Sequence, residues 1–182
     1  MACTSTAPNA KTVDTTDGTE SAGNAYPPVA ASATLNCGEK IFSLDAPQGE
    51  EEVVGQGIAL QTSQSTAQAF QTIRTHDSNP ALRLFAKTGL NVRSGVASEL
   101  IVPDRWVGHL AFIWGSTPPA SRLVIGPCSS SSNWTVFAGG YLASEIGCFD
   151  FIVRTNNVDR TVSVGVGSPC PGQTAPSGFS ES

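Results

Sequence analysis

The sequence predicts an all-β protein, a two-sheet antiparallel sandwich with one short helix and a polar tail at each end. Three observations predict it. Apolar residues recur with a period of two, as in Phe149, Phe151 and Val153 or Val162, Val164 and Val166, the spacing of a strand with one buried face. Clusters of Gly, Pro, Ser and Asn break that pattern about every eight to twelve residues. No βαβ alternation and no repeat at a fixed period is present, which excludes doubly wound and solenoid architectures. The stretch from Trp106 to Arg154 holds all three tryptophans, Trp106, Trp114 and Trp134, and most of the strongest strand signals.

The elements follow in chain order. Residues 1–38 are rich in Thr, Ser, Ala, Pro and Gly and nearly free of large apolar side chains. Such a segment buries too little surface to offset the entropy of ordering, so it reads as an N-terminal arm, mobile unless a partner holds it. Ile41 to Asp45 is a short strand with Phe42 and Leu44 on one face. Val53 to Thr62 reads as the next strand, with a bulge at Gly55 and Gly57. From Ser63 to Thr75 the residues are helix-tolerant, with Ala67, Phe70, Ile73 and Arg74 near helical spacing and Ser63 or Ser65 as N-cap. That spacing predicts the short helix, ended by Asn79-Pro80.

Ala81 to Lys87 is predicted as a strand, Gly89 to Gly95 as a loop, and Ala97 to Val102 as a strand stopped by Pro103. Trp106 to Trp114 is apolar on both faces, which suits a central strand or one covered by a neighbouring subunit. Arg122 to Ile125, then Trp134 to Ala138 ending at Gly139-Gly140, then Gly147 to Arg154, complete the middle of the chain. Val162 to Val166 marks the last strand, and the run from Ser168 reads as a C-terminal tail.

Composition limits the partners. Charged residues make up 14 % of the 182 residues, against about a quarter in an average soluble domain. Either much of the surface faces other subunits, or it is polar through Ser, Thr and Gly. Net charge is −5, and the ten Lys and Arg are spread singly through the chain. No basic patch for gripping nucleic acid is visible, so an RNA partner would need its phosphates neutralised by something else. No apolar run reaches the roughly 18 residues that cross a bilayer, so no membrane partner is expected.

The five cysteines, Cys3, Cys37, Cys128, Cys148 and Cys170, include no C-x-x-C pair, and neither zinc nor redox chemistry is expected. The first residues are too polar for a signal peptide. The thiols are accordingly expected to be reduced, and the sequon Asn133-Trp134-Thr135 to be silent.

Catalytic constellations are scarce. The two histidines, His76 and His109, have no nucleophile elbow near them. Glu99, Asp104, Glu145 and Asp150 could in principle pair for glycoside cleavage, but any β protein offers such a set, and they read as solvated edge residues. Glu50, Glu51 and Glu52 could bind a cation at an interface, or form a solvated turn. Phosphate-binding glycine loops are absent. The tryptophans fit core packing better than base or sugar stacking. The expected catalytic set is none, the expected metal set none, and the protein is not expected to be an enzyme.

Four pieces, in this order, carry a resemblance. Ile58-Ala59-Leu60-Gln61-Thr62, the expected helix and Ile73-Arg74-Thr75-His76 come first. Leu110-Ala111-Phe112-Ile113-Trp114 with Pro118-Pro119 follows. Then come Val136-Phe137-Ala138-Gly139-Gly140 and the segment Phe149 to Arg160, ending Asn156-Asn157-Val158-Asp159-Arg160. This order, across roughly residues 40–165, resembles the coat proteins of tymoviruses and related small icosahedral plant RNA viruses. The resemblance implies a jelly-roll shell domain over 39–167 between the arm 1–38 and the tail 168–182. It implies self-assembly into an icosahedral capsid around single-stranded RNA in the host cytoplasm. Polyamines or divalent cations, rather than a basic arm, would neutralise that RNA. By likeness to the family's Tyr-Arg-His segment, Arg74 and His76 are the expected RNA-facing or subunit-contact residues.

The alternative is a monomeric β-sandwich binding module that recognises a carbohydrate or a protein, with an exposed aromatic, Trp134, as its contact.

Overall fold

A computed structural model describes residues 28–177. Among them the chain forms twelve strands and no α-helix. In order these are β1 (Ala33–Leu35), β2 (Phe42–Leu44), β3 (Glu52–Val54), β4 (Ile58–Leu60), β5 (Ile73–Arg74) and β6 (Leu84–Arg93). There follow β7 (Ser98–Ile101), β8 (Leu110–Trp114), β9 (Arg122–Ile125), β10 (Trp134–Ala143), β11 (Gly147–Thr155) and β12 (Val158–Val166). Three single-turn 3-10 helices, Cys37–Glu39, Pro80–Leu82 and Asp104–Trp106, lie between them.

Two sheets pack face to face, so the expected all-β sandwich is what the chain forms. The seven-stranded sheet is built on one long antiparallel pair, β6 with β10, in register from Leu84↔Ala143 to Arg93↔Trp134. The outer edge of β6 carries β5 at one end and β4, followed by β3, at the other. The outer edge of β10 carries β8 at one end and β2 at the other. The five-stranded sheet runs β1-β9-β7-β11-β12, antiparallel except for the β1/β9 pair.

The core lies between the sheets and follows the period-two pattern. Leu90, Val92, Phe112, Trp114, Phe137 and Tyr141 face Leu100, Leu123, Phe149, Phe151, Val153 and Val164, and all are buried. Its centre is aromatic: the Phe112 and Phe151 rings meet edge-on at 5.3 Å, as do Trp114 and Tyr141 at 5.3 Å, the T-shaped geometry that ring quadrupoles favour. The Trp114 indole N–H donates to the Thr88 carbonyl at 3.2 Å. The Tyr141 hydroxyl is buried without a hydrogen-bond partner, and burial pushes its pKa above the ordinary phenol value. An orphaned buried hydroxyl costs its full desolvation. Tyr141→Phe is therefore expected to raise stability by about 1 kcal/mol, read as a higher denaturant midpoint at unchanged slope.

Several expected elements change. The stretch 63–75 is not a helix. Apart from one turn in which Ser65 and Thr66 N–H bond back to the Thr62 carbonyl, its backbone N–H groups bond outward: Ser63 to the Ser163 carbonyl, Phe70 to the Gly165 carbonyl and Ala69 to the Thr174 carbonyl. Ser and Thr hydroxyls hold its first turn, with Thr62 N–H on Ser65 Oγ at 2.9 Å and the Thr66 hydroxyl on the Thr62 carbonyl at 3.0 Å. Such local capture competes with a helix. Gly55 and Gly57 are not a bulge in one strand. They make the turn of a β3/β4 hairpin, with Gly55 at φ 63°. The expected loop from Gly89 is the second half of β6, and β10 runs on through Gly139-Gly140.

Both expected tails enter the fold in part. Ala33–Leu35, assigned to the arm, is β1, and Cys37 forms a disulfide with Cys128. Cys170, assigned to the C-terminal tail, forms a disulfide with Cys148. Four of the thiols expected to be reduced are thus paired, because the fold brings partners 91 and 22 residues apart within bonding distance. The remainder of the arm, residues 1–27 with Cys3, lies outside the described residues, as do residues 178–182.

Candidate functional site

The Cys148–Cys170 disulfide positions the most developed concave surface. After β12 the chain turns back, and Cys170 ties the returning segment to the start of β11. Gln173 then locks it to the loop after β4: its amide N–H groups donate to Thr66 Oγ1 at 2.9 Å, the Gln68 carbonyl at 3.1 Å and the Thr66 carbonyl at 3.3 Å. Thr174 N–H donates to the Ala67 carbonyl at 2.9 Å, and Ala69 N–H to the Thr174 carbonyl at 3.0 Å. The loop held this way makes an open groove of about 450 Å³ lined by Glu50, Gln61, Thr66, Gln68, Phe70 and Gln71. Phe70 is half-buried, and its ring lies 5.8 Å from Tyr141 in the core. The groove therefore joins an aromatic side chain anchored in the core to three carboxamides. Each carboxamide offers donors and an acceptor without a charge.

The outer face of the five-stranded sheet is closed by ion pairs. Arg122 on β9 reaches Glu99 on β7 at 2.6 Å, and Glu99 lies 3.7 Å from Arg154 on β11. Arg154 in turn holds Asp159 on β12 through two hydrogen bonds of 2.6 and 2.9 Å. The hydrogen-bonded Arg154 guanidinium keeps the Asp159 carboxyl below its ordinary pKa, and Asp159 raises that of Arg154. Asp150 pairs with Arg105 and accepts from the Trp106 indole at 2.7 Å.

The residues singled out in the sequence do not converge. Arg74 on β5 and His76 just beyond it are both exposed, and neither side chain has a hydrogen bond or ion pair among the described residues. His109 meets Ser144 Oγ at 3.1 Å and Glu145 Oε1 at 3.8 Å through the same ring nitrogen, Nδ1. A relay needs one nitrogen for the hydroxyl and the other for the acid, so this trio cannot act as a triad. The other candidate carboxylates Glu99 and Asp150 are engaged by arginines, as above. The acidic run diverges: Glu51 accepts from Gln48 N–H at 3.0 Å, Glu52 accepts from the Thr62 hydroxyl at 2.6 Å, and Glu50 lines the groove. No group of three His, Cys, Asp or Glu side chains among the described residues could hold a metal ion.

Trp134, expected to be exposed for ligand stacking, is only 6 % exposed and lies under Arg93, whose guanidinium carbon is 5.8 Å from the ring centroid. Its place is filled by Phe70 and the glutamines. The sequence carried no signal for them beyond a polar Ala/Gln stretch that reads as helix.

Comparison with protein-family models and with curated proteins finds no match. What the structure itself defines is the class: a disulfide-bonded, two-sheet β-sandwich.

Proposed function

We propose that this chain is a monomeric β-sandwich binding module of an oxidising compartment, and that the groove beside Phe70 takes an uncharged, hydroxyl-rich ligand of the carbohydrate class. One observation carries the reading: a disulfide-anchored segment holds a groove lined by three carboxamides, the Glu50 carboxylate and the half-buried Phe70. Amides match the paired donor and acceptor character of sugar hydroxyls, and an aromatic ring matches the apolar C–H face of a pyranose. Two disulfides point to an oxidising environment, since reducing compartments keep thiols apart. The core is also complete within one chain.

The rival reading, a jelly-roll coat protein that assembles around RNA with Arg74 and His76 at a contact, rests on the low charge and on the resemblance in sequence. One set of measurements separates the two. Light scattering of the purified, oxidised protein is expected to give a monomer. Calorimetry against a panel of neutral oligosaccharides is expected to find a ligand whose affinity falls about tenfold or more in Gln68→Ala/Gln71→Ala, the order expected for two lost hydrogen bonds. Uniform spherical particles with a raised 260/280 nm ratio would overturn the module in favour of the capsid. A monomer that binds no member of the panel would overturn the carbohydrate assignment.

A further inference from the structure

The Lys and Arg of the described residues are spread singly in sequence but not in space. On β6 the inward residues Ala86, Leu90 and Val92 are in the core, so the alternate set Phe85, Lys87, Gly89, Asn91 and Arg93 faces outward. By register this outer face of the seven-stranded sheet also carries Ile73 beside Phe85, and Val136 with Phe42 beside Asn91. Trp134 with Leu44 stands beside Arg93. Arg83 precedes β6 and Lys40 precedes β2, and both are exposed.

Lys40, Arg83, Lys87 and Arg93 have no ion pair among the described residues, whereas on the opposite side of the sandwich Arg105, Arg122 and Arg154 are paired and Arg160 is not. The strands of this face are poor in acids, while Glu39 precedes Lys40 and Asp45 follows β2. Of its seven strands only β3 contains one, Glu52, and that side chain is bound to the Thr62 hydroxyl. The exposed apolar residues sit next to the cations. Phe42, 50 % exposed, stands two residues after Lys40, and Ile73, 62 % exposed, lies beside Phe85 of β6, between Arg83 and Lys87.

We propose that this face is a contact surface for an anionic lipid bilayer. The molecule carries a net charge of −5, so a negative surface repels most of it and attracts this side, which fixes the orientation of approach. Apolar side chains flanked by Lys or Arg are what an interface needs: the apolar part enters the headgroup boundary while the cation stays at the phosphates. A polynucleotide fits less well. Lys87 and Arg93 are six residues apart on one strand, about 20 Å at strand rise, far wider than phosphate spacing. Contact with a bilayer surface is also compatible with the finding that no helix among the described residues is long and apolar enough to cross a membrane. The proposal goes beyond the groove and uses the exposed part of this face, since Asn91, Val136 and Trp134 are buried and Leu82, Ala111 and Leu142 pack with Val29; it shares with the module reading only a monomeric chain.

The test is sedimentation of the full oxidised chain with vesicles of phosphatidylcholine alone and of phosphatidylcholine with phosphatidylglycerol. Binding is expected only to the anionic vesicles and is expected to weaken as salt rises. Arg83→Glu/Lys87→Glu is expected to lower partitioning at least 30-fold, roughly the loss for removing two cations alone. Phe42→Ser is expected to lower it in anionic vesicles without changing the salt dependence. Arg160→Glu removes an exposed cation from β12 and is expected to leave partitioning unchanged. The groove variant Gln68→Ala/Gln71→Ala is also expected to leave it unchanged, so loss of sugar binding and loss of vesicle binding are read separately. Equal binding to neutral vesicles, no binding to either, an Arg160→Glu effect as large as that of the double variant, or capture by a poly-glutamate peptide in preference to vesicles would overturn the proposal.

Discussion

Reducing the two disulfides is expected to leave the chain at or near its unfolding midpoint at room temperature. Cys37 and Cys128 close a loop across 91 residues, and Cys148 and Cys170 one across 22. In the chain-entropy account, cross-links of these spans destabilise the unfolded state by about 4.6 and 3.4 kcal/mol. Their sum is comparable to the whole stability of an ordinary domain, about 5–15 kcal/mol. The two bonds act in different places. Cys37–Cys128 ties the segment leaving β1 to the loop between β9 and β10, and so holds the parallel β1/β9 pair at the sheet edge. Cys148–Cys170 holds the returning C-terminal segment that supports the groove. The expected outcomes therefore differ. Cys37→Ser/Cys128→Ser should lose about 4 kcal/mol in denaturant titration and keep ligand binding at low temperature. Cys148→Ser/Cys170→Ser should lose about 3 kcal/mol and weaken binding, because Gln173 no longer fixes Thr66 and Gln68. A reduced protein as stable as the oxidised one would refute the assignment of these bonds as structural.

The parts of the fold that were legible are those where one rule acts alone. Phe149, Phe151 and Val153 alternate with polar neighbours, and so do Val162, Val164 and Val166, because β11 and β12 have one face on the core and one in solvent. The misreadings share a cause. Gly89, Gly139 and Gly140 read as ends of strands, since glycine usually interrupts them, but β6 runs on through Gly89, and β10 needs Gly139 and Gly140 to pass close to its neighbours. Ending the strand at Lys87 also hid the site on that sheet: the parity that places Lys87 and Arg93 on one face exists only if β6 is continuous. The groove was hidden for another reason. Ala67, Phe70, Ile73 and Arg74 have helical spacing, but partners more than a hundred residues away in sequence, such as Thr174, take the backbone hydrogen bonds. Long-range disulfides are equally silent in sequence, where spacing alone does not give connectivity. Arg74 and His76 stand out only by likeness to a motif, and among the described residues neither side chain has a hydrogen bond or ion pair.

Gly139→Ala and Gly140→Ala are each expected to cost about 3 kcal/mol or more. Gly139 is paired on both sides, with Thr88 on β6 and Trp114 on β8. A Cβ there would overlap the Ile113 carbonyl oxygen and lie 2.5 Å from Trp114 Cα, and one on Gly140 would overlap the Ala86 carbonyl oxygen. These are backbone atoms of flanking strands, so no rotamer change can relieve the overlap. β8 or β6 must move, and with it Trp114 or Ala86 in the core. Gly89 supplies the comparison. It sits one position away on the paired strand, opposite Ala138. The nearest atom to a Cβ added there is Val136 Cγ1 at 3.9 Å, an ordinary contact. Alanine at this site only removes the entropy cost of glycine within a strand, so Gly89→Ala is expected to raise stability by about 0.5 kcal/mol. The three variants differ by the same methyl group, and denaturant midpoints at constant slope read them directly. If all three destabilised equally, the cost would belong to glycine's backbone freedom in this sheet rather than to the close approach of β8 and β10.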